Sequence, residues 1–253
     1  LNSFDCKIEN GKNLTEISGY DFCIFYDNDD HALLQIEKSG VRCFNRFRAM
    51  VDCDDKMMTY IRLSDEGILM PKTFSAPLCY TKNACNGEEV YGRLERELGF
   101  PMIVKECYGS LGKGVYLVEN LAKLQEIDEK LMYIPHIYQE FVASSYGKDL
   151  RVIVVGGKYL GAMKRVSGGG DFRSNIASGG RGEKYDADEK TIKTAEKIAR
   201  ILDLDYCGID FLFSKQGMTV CEVNSNAFFK EFEAVTGLNV AKEYAKHIIS
   251  CVE

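Results

Sequence analysis

A chain of 253 residues, 45% apolar and 28% charged, has the balance of a globular protein with a substantial core and one or two domains. Its 32 basic and 38 acidic residues leave a net charge of −6, which argues against a nucleic-acid partner held through its phosphates. No stretch approaches the roughly 18 apolar residues of a membrane span, and LNSFDCKIENGKN at the start lacks the apolar core of a signal peptide.

In chain order, DFCIFYD at 21–27 predicts a buried strand, 31–38 an amphipathic helix and VRCF at 41–44 a short strand. Helix is predicted through about 45–66 and again near 87–98, where Gly99 and Pro101 supply a stop. PMIVKE at 101–106 and VYLV at 115–118 flank a glycine-rich loop and read as a hairpin. A helix over 119–132 and a strand IYQEF at 137–141 follow. Residues 150–166 read as two strands joined at Gly156-Gly157. A polar, glycine-rich stretch occupies 167–183. A helix over 186–203 then sets Ile192, Ala195, Ile198, Ala199 and Leu202 on one face. YCGIDFLF at 206–213 and MTVCEVN at 218–224 form a second hairpin around Lys215-Gln216-Gly217, and a helix follows Asn239. Frequent hairpins make the class α+β, and with only four prolines and no linker any domains are tightly joined.

Ten cysteines without a C-x-x-C pair are expected to be mostly reduced and buried, as in a cytoplasmic protein. A zinc site is not expected, because His31, His136 and His247 have no paired spacing.

Two loops and one hairpin carry candidate chemistry. The glycines of YGSLGKG run G-x-x-G-x-G into a strand, which fits neither the dinucleotide fingerprint nor the P-loop. A hairpin covering triphosphate oxygens with backbone N–H groups fits, as does a plain flexible hairpin. A turn centred at Gln216 sets Asp210 opposite Glu222, with Asn224 on the same face. Facing carboxylates repel unless a cation lies between them, and an all-oxygen set among apolar neighbours suits Mg²⁺. Lys164, Arg165, Arg173, Ser174 and Asn175 around the second glycine stretch suit an anion, and Lys105 ends a strand beside the first glycine loop. Cys107, beside that loop, is the first thiol to examine for regulation.

From about Asp55-Lys56 onward these residues resemble the ATP-grasp enzymes, specifically the RimK-like carboxylate–amine ligases. FPMIVKECYGSLGKGV resembles the family's lysine strand and glycine loop, and YQEFV its adenine hinge. KDLRVIVVGGKYLGAMKR, GDFRSNIASGG, GIDFLF and CEVNSN follow in the family's order.

The resemblance implies an ATP-grasp fold of two α+β subdomains, 53–139 and 140–253, preceded by a partial α/β segment, 1–52. It implies ATP and Mg²⁺ (or Mn²⁺) as cofactors. Lys56 and Lys105 would contact phosphates, Glu140 and the Phe141 backbone adenine, and Asp149 the ribose. Arg173, Ser174 and Asn175 would meet the terminal phosphate, and Asp210, Glu222 and Asn224 the metal. Arg173 would stabilise the transferring phosphoryl group, and Arg165 or Arg151 would grip the substrate carboxylate. The stretch 167–183 would order over bound substrate.

The implied reaction is ATP-dependent amide formation through an acylphosphate. It would add an amino acid, glutamate among the candidates, to a small-molecule or peptide acceptor, in an enzyme that is a homo-oligomer in many relatives. Modification of a peptide or protein tail, and nucleotide sensing without turnover, are the alternatives. Ser225-Asn226-Ala227-Phe228-Phe229 stands where the family's glutamate ligases usually carry a Ser-Pro-Gly type turn. FFKEFEAVTG is closer to relatives that act on amino acids or small carrier-linked substrates.

Overall fold

The computed structural model describes residues 7–14, 17, 19–81, 87–110, 112–174 and 179–253. A small hairpin, β1 (Ile8–Glu9) and β2 (Lys12–Asn13), precedes β3 (Phe22–Ile24), α1 (Asp30–Lys38) and β4 (Arg42–Phe44). The Asp29 carboxylate accepts the Ala32 N–H at 3.0 Å and starts α1, which buries Leu33 and Ile36 against Val41, Cys43 and Met50. β3 and β4 pair in parallel, so this segment is the expected α/β crossover.

The helix predicted over 45–66 is two helices, α2 (Phe47–Asp54) and α3 (Lys56–Leu63). Asp55 breaks it by leaving helical dihedrals (φ −85°, ψ 107°) and accepting the N–H groups of Met57 and Met58. Such a cap contributes about 1 kcal/mol. It also makes Lys56 the first residue of α3.

Then come β5 (Thr73–Ser75), α4 (Glu88–Leu98), β6 (Met102–Glu106), β7 (Val115–Val118), α5 (Leu121–Lys130) and β8 (His136–Glu140). They form an antiparallel sheet of order β5-β8-β6-β7. Met102, Val104, Val118 and Tyr138 on one face bury Leu94 of α4 and Leu124 and Ile127 of α5. Period-two alternation turns Ile103 and Lys105 of β6 to the other face.

The last part contains β9 (Lys148–Val155), β10 (Lys158–Val166), β11 (Arg181–Tyr185), α6 (Glu189–Ile201), β12 (Tyr206–Ser214), β13 (Gly217–Asn224), α7 (Lys230–Thr236) and α8 (Val240–Val252). The sheet order is β11-β10-β9-β12-β13. Leu150, Val152 and Val154 of β9 and Cys207, Ile209 and Phe211 of β12 face α6. Ala49 and Cys53 of α2 and Leu63 of α3 join the same core, so the helices after residue 46 pack on this second sheet. The opposite face carries Ile153, Met163 and Tyr206 under α7 and α8 at one end, and Asp149, Arg151, Arg165 and Asp210 at the other.

β5, β11 and α7 were not predicted. β11 is an edge strand paired only with β10, and its half-exposed residues lack apolar alternation. α7 is seven residues long and buries only Phe232.

Asn45 ties the N-terminal segment to the second sheet. Its Nδ2 donates to the carbonyls of Tyr206 and Ser225 at 2.8 Å, and its Oδ1 accepts the N–H groups of Asp205 and Tyr206 at 2.7 and 3.0 Å. Asn45→Ala strands these buried groups and is expected to cost at least about 2 kcal/mol. A lowered urea midpoint with unchanged slope is the result that fits.

Among the described residues, seven cysteines are free thiols, four of them buried, and Cys79 is disulfide-bonded. Cys6 and Cys85 lie outside the described residues. Cys107 packs with Tyr60 and Ile137, and burial pushes its thiol up to about 11, which makes it a poor regulatory thiol. No helix among the described residues is long and apolar enough to cross a membrane.

Candidate active site

The two sheets meet over a cavity of about 630 Å³. Its carboxylate wall is set by strand register. Asp149 on β9 is directly opposite Arg165 on β10, and Arg151 on β9 is opposite Asp210 on β12. Both pairs are bidentate: Arg165 donates to Asp149 at 2.7 and 2.6 Å, and Arg151 donates to Asp210 at 2.7 Å through Nε and Nη2. Arg165 Nη2 also lies 2.8 Å from Asp210 Oδ2, so the four groups form one chain of alternating charge. Asp149, Arg165 and Asp210 are 8%, 5% and 4% exposed. Burial opposes the Asp210 charge, but Arg151 and Arg165 outweigh it and hold the carboxyl below the usual carboxylate range.

This arrangement differs from two expectations. Asp149, expected at the ribose, has oxygens that accept from Arg165 and, at 2.6 Å, from Ser174 Oγ. Arg165, expected to grip the substrate carboxylate, is shared between two buried aspartates. A substrate reaching either would have to displace a charge-assisted pair.

On β13, Glu222 is opposite Asp210 and Asn224 is opposite Gly208, on the same face as predicted. The turn lies between Ser214 and Gly217, half a residue earlier than expected, and a bulge at Cys221 restores the register. The repulsion of the facing carboxylates is relieved by protein cations: the two arginines on Asp210, and Lys56 Nζ 3.3 Å from Glu222 Oε1. The bulge also turns the Cys221 thiol toward the cavity, 3.5 Å from Lys105 Nζ.

The opposite wall is cationic. Lys56, at the start of α3, donates to the Gly109 carbonyl at 2.9 Å. Lys105 donates to Gln139 Oε1 at 2.7 Å, and Gln139 Nε2 donates to Tyr60 and Thr73. Burial works against the Lys105 charge, but Cys221, Tyr60 and Glu222 more than offset it and hold the ammonium above the ordinary lysine value. The β6–β7 hairpin closes with Glu106 N–H on the Gly114 carbonyl. Gly114 could not be replaced cheaply, since its φ of +71° lies in the region that L side chains rarely adopt. Leu111, at the tip, lies outside the described residues.

Arg173 crosses between the walls. Its Nη1 donates to the Gly112 carbonyl at 3.1 Å, while Asp171 accepts from Nη2 at 2.8 Å. Lys164 faces away and pairs with Glu183 at 3.5 Å. Glu140 and Phe141 line the rim where β8 ends. Of the thirteen predicted site residues that the structure describes, twelve line this cavity and Lys164 does not; Asn175 lies outside the described residues. Gln139 and Cys221 were missed. One residue before the hinge glutamate, Gln139 gives no sequence signal, and Cys221 faces the cavity only because of the bulge.

Two α+β units gripping a cavity, with a glycine hairpin over one wall and carboxylates on the other, make up the ATP-grasp architecture. The RimK-like ATP-grasp domain model matches residues 53–248, and the chain belongs to that family. It is 35% identical over 229 residues to human N-acetylaspartylglutamate synthase A, covering 88% of this chain and 56% of that protein. It is 34% identical over 217 residues to the probable alpha-L-glutamate ligase of Maridesulfovibrio salexigens, covering 85% of this chain and 69% of that one. The chain thus spans little more than half of the human relative. D-alanine–D-alanine ligase from Bacillus anthracis complexed with ATP shares the fold, with a TM-score of 0.71 at 18% identity over 92% of this chain and 79% of that one.

Proposed function

We propose that the chain catalyses ATP-dependent ligation of a carboxylate to an amine, adding an amino acid to a small-molecule or peptide acceptor. The supporting observation is the convergence of twelve of the thirteen described candidate residues on one cavity, lysines on one wall and carboxylates on the other. A volume of about 630 Å³ is ample for a nucleotide phosphate chain and a small acid. The relatives named above are a synthase of a glutamate-containing product and a glutamate ligase, which makes glutamate the first amine to test.

Lys56, Lys105 and the N–H groups of the glycine hairpin suit the phosphates of ATP. Asp210, Glu222 and Asn224 are hard oxygen donors and fit Mg²⁺ or Mn²⁺. Bound there, the metal would neutralise charge on the phosphate oxygens. The substrate carboxylate attacks the γ-phosphorus and ADP leaves; the amine then attacks the acyl carbon and phosphate leaves. Arg173 supplies charge to the transferring phosphoryl group, and the ion chain behind Asp210 keeps the wall rigid. Excluding water protects the acylphosphate from hydrolysis. A cytoplasmic setting, where ATP is supplied, agrees with the seven free thiols, and the disulfide at Cys79 is the exception to it.

The test is phosphate release from Mg-ATP against an array of amino acids, dicarboxylic and tricarboxylic acids and short peptides, singly and in pairs. Release that needs one acid and one amine, with the condensed product found by mass spectrometry, is the expected result. Nucleotide binding without release in any mixture would point to a sensor.

A further inference from the structure

Remote from the cavity, three side chains of different donor type meet under α8. His247 and Cys251 are four residues apart on α8 and therefore share a face. Asp205, just before β12, reaches the same point. His247 Nε2 lies 2.8 Å from Asp205 Oδ1 and 3.7 Å from Cys251 Sγ, and the three donor atoms fall within 4.8 Å of one another. We propose that Asp205, His247 and Cys251 bind a zinc-class divalent cation, leaving one coordination position open to solvent.

The distances suit that ion. Zinc bonds of the usual length, in a tetrahedral arrangement, require about 3.3 Å between carboxylate oxygen and imidazole nitrogen and about 3.6 Å between nitrogen and sulfur. Sγ lies 3.7 Å from Nε2 and 3.8 Å from Nδ1, so the exposed Cys251 side chain turns toward the Nε2 edge when both bind one ion. The N···O pair must open by about half an ångström, as expected when a metal replaces the proton the two groups share.

The groups behind these donors are in place as well. Arg42 Nη2 holds Asp205 Oδ2 at 2.6 Å, which leaves Oδ1 for the ion. The Asp205 N–H donates to Asn45 at 2.7 Å, and its carbonyl accepts from Gly156 N at 2.7 Å. The His247 ring stands edge-on to Phe44 at 6.1 Å. It also presses on Gly156 (φ +56°), where a Cβ would come within 2.6 Å of Nδ1. Supporting contacts of this kind fix ligand orientation and contribute to metal affinity. A second cavity of about 400 Å³ borders His247 and gives solvent access; it shares no lining residue with the active-site cavity. Histidine spacing alone did not show this site, because its second helical donor is a cysteine.

A mixed oxygen, nitrogen and sulfur set prefers zinc to magnesium. The test is titration of the full chain with Zn²⁺ against a chromophoric chelator, with Mg²⁺ in large excess to fill hard oxygen sites, and with Co²⁺ as a spectroscopic probe. One zinc equivalent is expected, weakened at least about tenfold in His247→Gln and in Cys251→Ser. The near-ultraviolet thiolate-to-cobalt band is expected to vanish in Cys251→Ser, a substitution at an exposed position near the end of α8. Zinc affinity or a cobalt spectrum unchanged in Cys251→Ser overturns the proposal, as does displacement of the zinc by Mg²⁺.

Discussion

Arg173→Ala is expected to lower turnover by a factor of about 10² or more while nucleotide still binds, as losing one transition-state contact does. The geometry makes the measurement clean. The Arg173 side chain is 36% exposed, and its carboxylate partner, Asp171, belongs to the same loop. A half-exposed ion pair contributes about 0–1 kcal/mol, so the variant keeps its fold. What it loses is the positive charge beside Gly112, on the glycine hairpin proposed above to cover the phosphates. In the proposed role the charge acts on the transferring group, so kcat is expected to fall while nucleotide affinity changes little. Arg173→Lys retains the charge without the planar fork and should fall between. Near-normal kcat in the alanine variant would remove Arg173 from the reaction.

The candidate site was legible in the sequence because its residues sit in hairpins, where chain neighbours become strand neighbours. Asp210 and Glu222 could be paired across a short turn, and period-two alternation added Asn224. The exact partners were less legible, because the β9–β10 and β12–β13 hairpins each carry a bulge. A regular two-residue turn at Gly156-Gly157 sets Asp149 opposite Lys164; the irregularity between Tyr159 and Gly161 moves Arg165 into that place. A one-residue slip sends a side chain to the other face of the sheet, so the bulge decides which cation is buried. Lys164 was included in the anion site for want of that information, whereas the ribose role of Asp149 came from the family resemblance. The pairing of Arg151 with Asp210 was hidden for another reason. β9 and β12 are neighbours in the sheet but not consecutive strands, since β10, β11 and α6 intervene in the chain. Edge strand β11 was missed because RGEKY is polar or glycine at four of its five positions and none of its residues is fully buried. The break at Asp55 was missed because apolar periodicity runs on through both helices, although the capping aspartate was present in the sequence.

The ion chain separates two roles that the sequence had merged at Asp210. Asp210 neutralises two buried guanidinium groups, and removing one member of a buried pair costs about 3–5 kcal/mol by leaving a charge uncompensated. Asp210→Asn is therefore expected to destabilise the fold by about that amount, read from denaturant unfolding. Lost nucleotide binding in that variant would say nothing specific about the metal. Glu222 provides the discriminating test. Its side chain is 31% exposed, but Lys56 beside it is buried and keeps only the Gly109 and Cys107 carbonyls when the charge is removed, so Glu222→Gln costs some stability, less than Asp210→Asn. Unfolding should shift by less than in Asp210→Asn, because the amide oxygen of the variant still accepts from Lys56 and one partner is part-exposed. Binding of Mg-ATP should weaken, while ATP titrated without magnesium binds as it does to the native chain. Equal isotherms for Mg-ATP in native and Glu222→Gln chains would take Glu222 out of the metal set. A double variant closes the argument on the other side: Asp210→Asn with Arg151→Met removes a stranded charge along with its partner. It should recover part of the stability lost in Asp210→Asn, which a carboxylate serving only as a metal ligand would not permit.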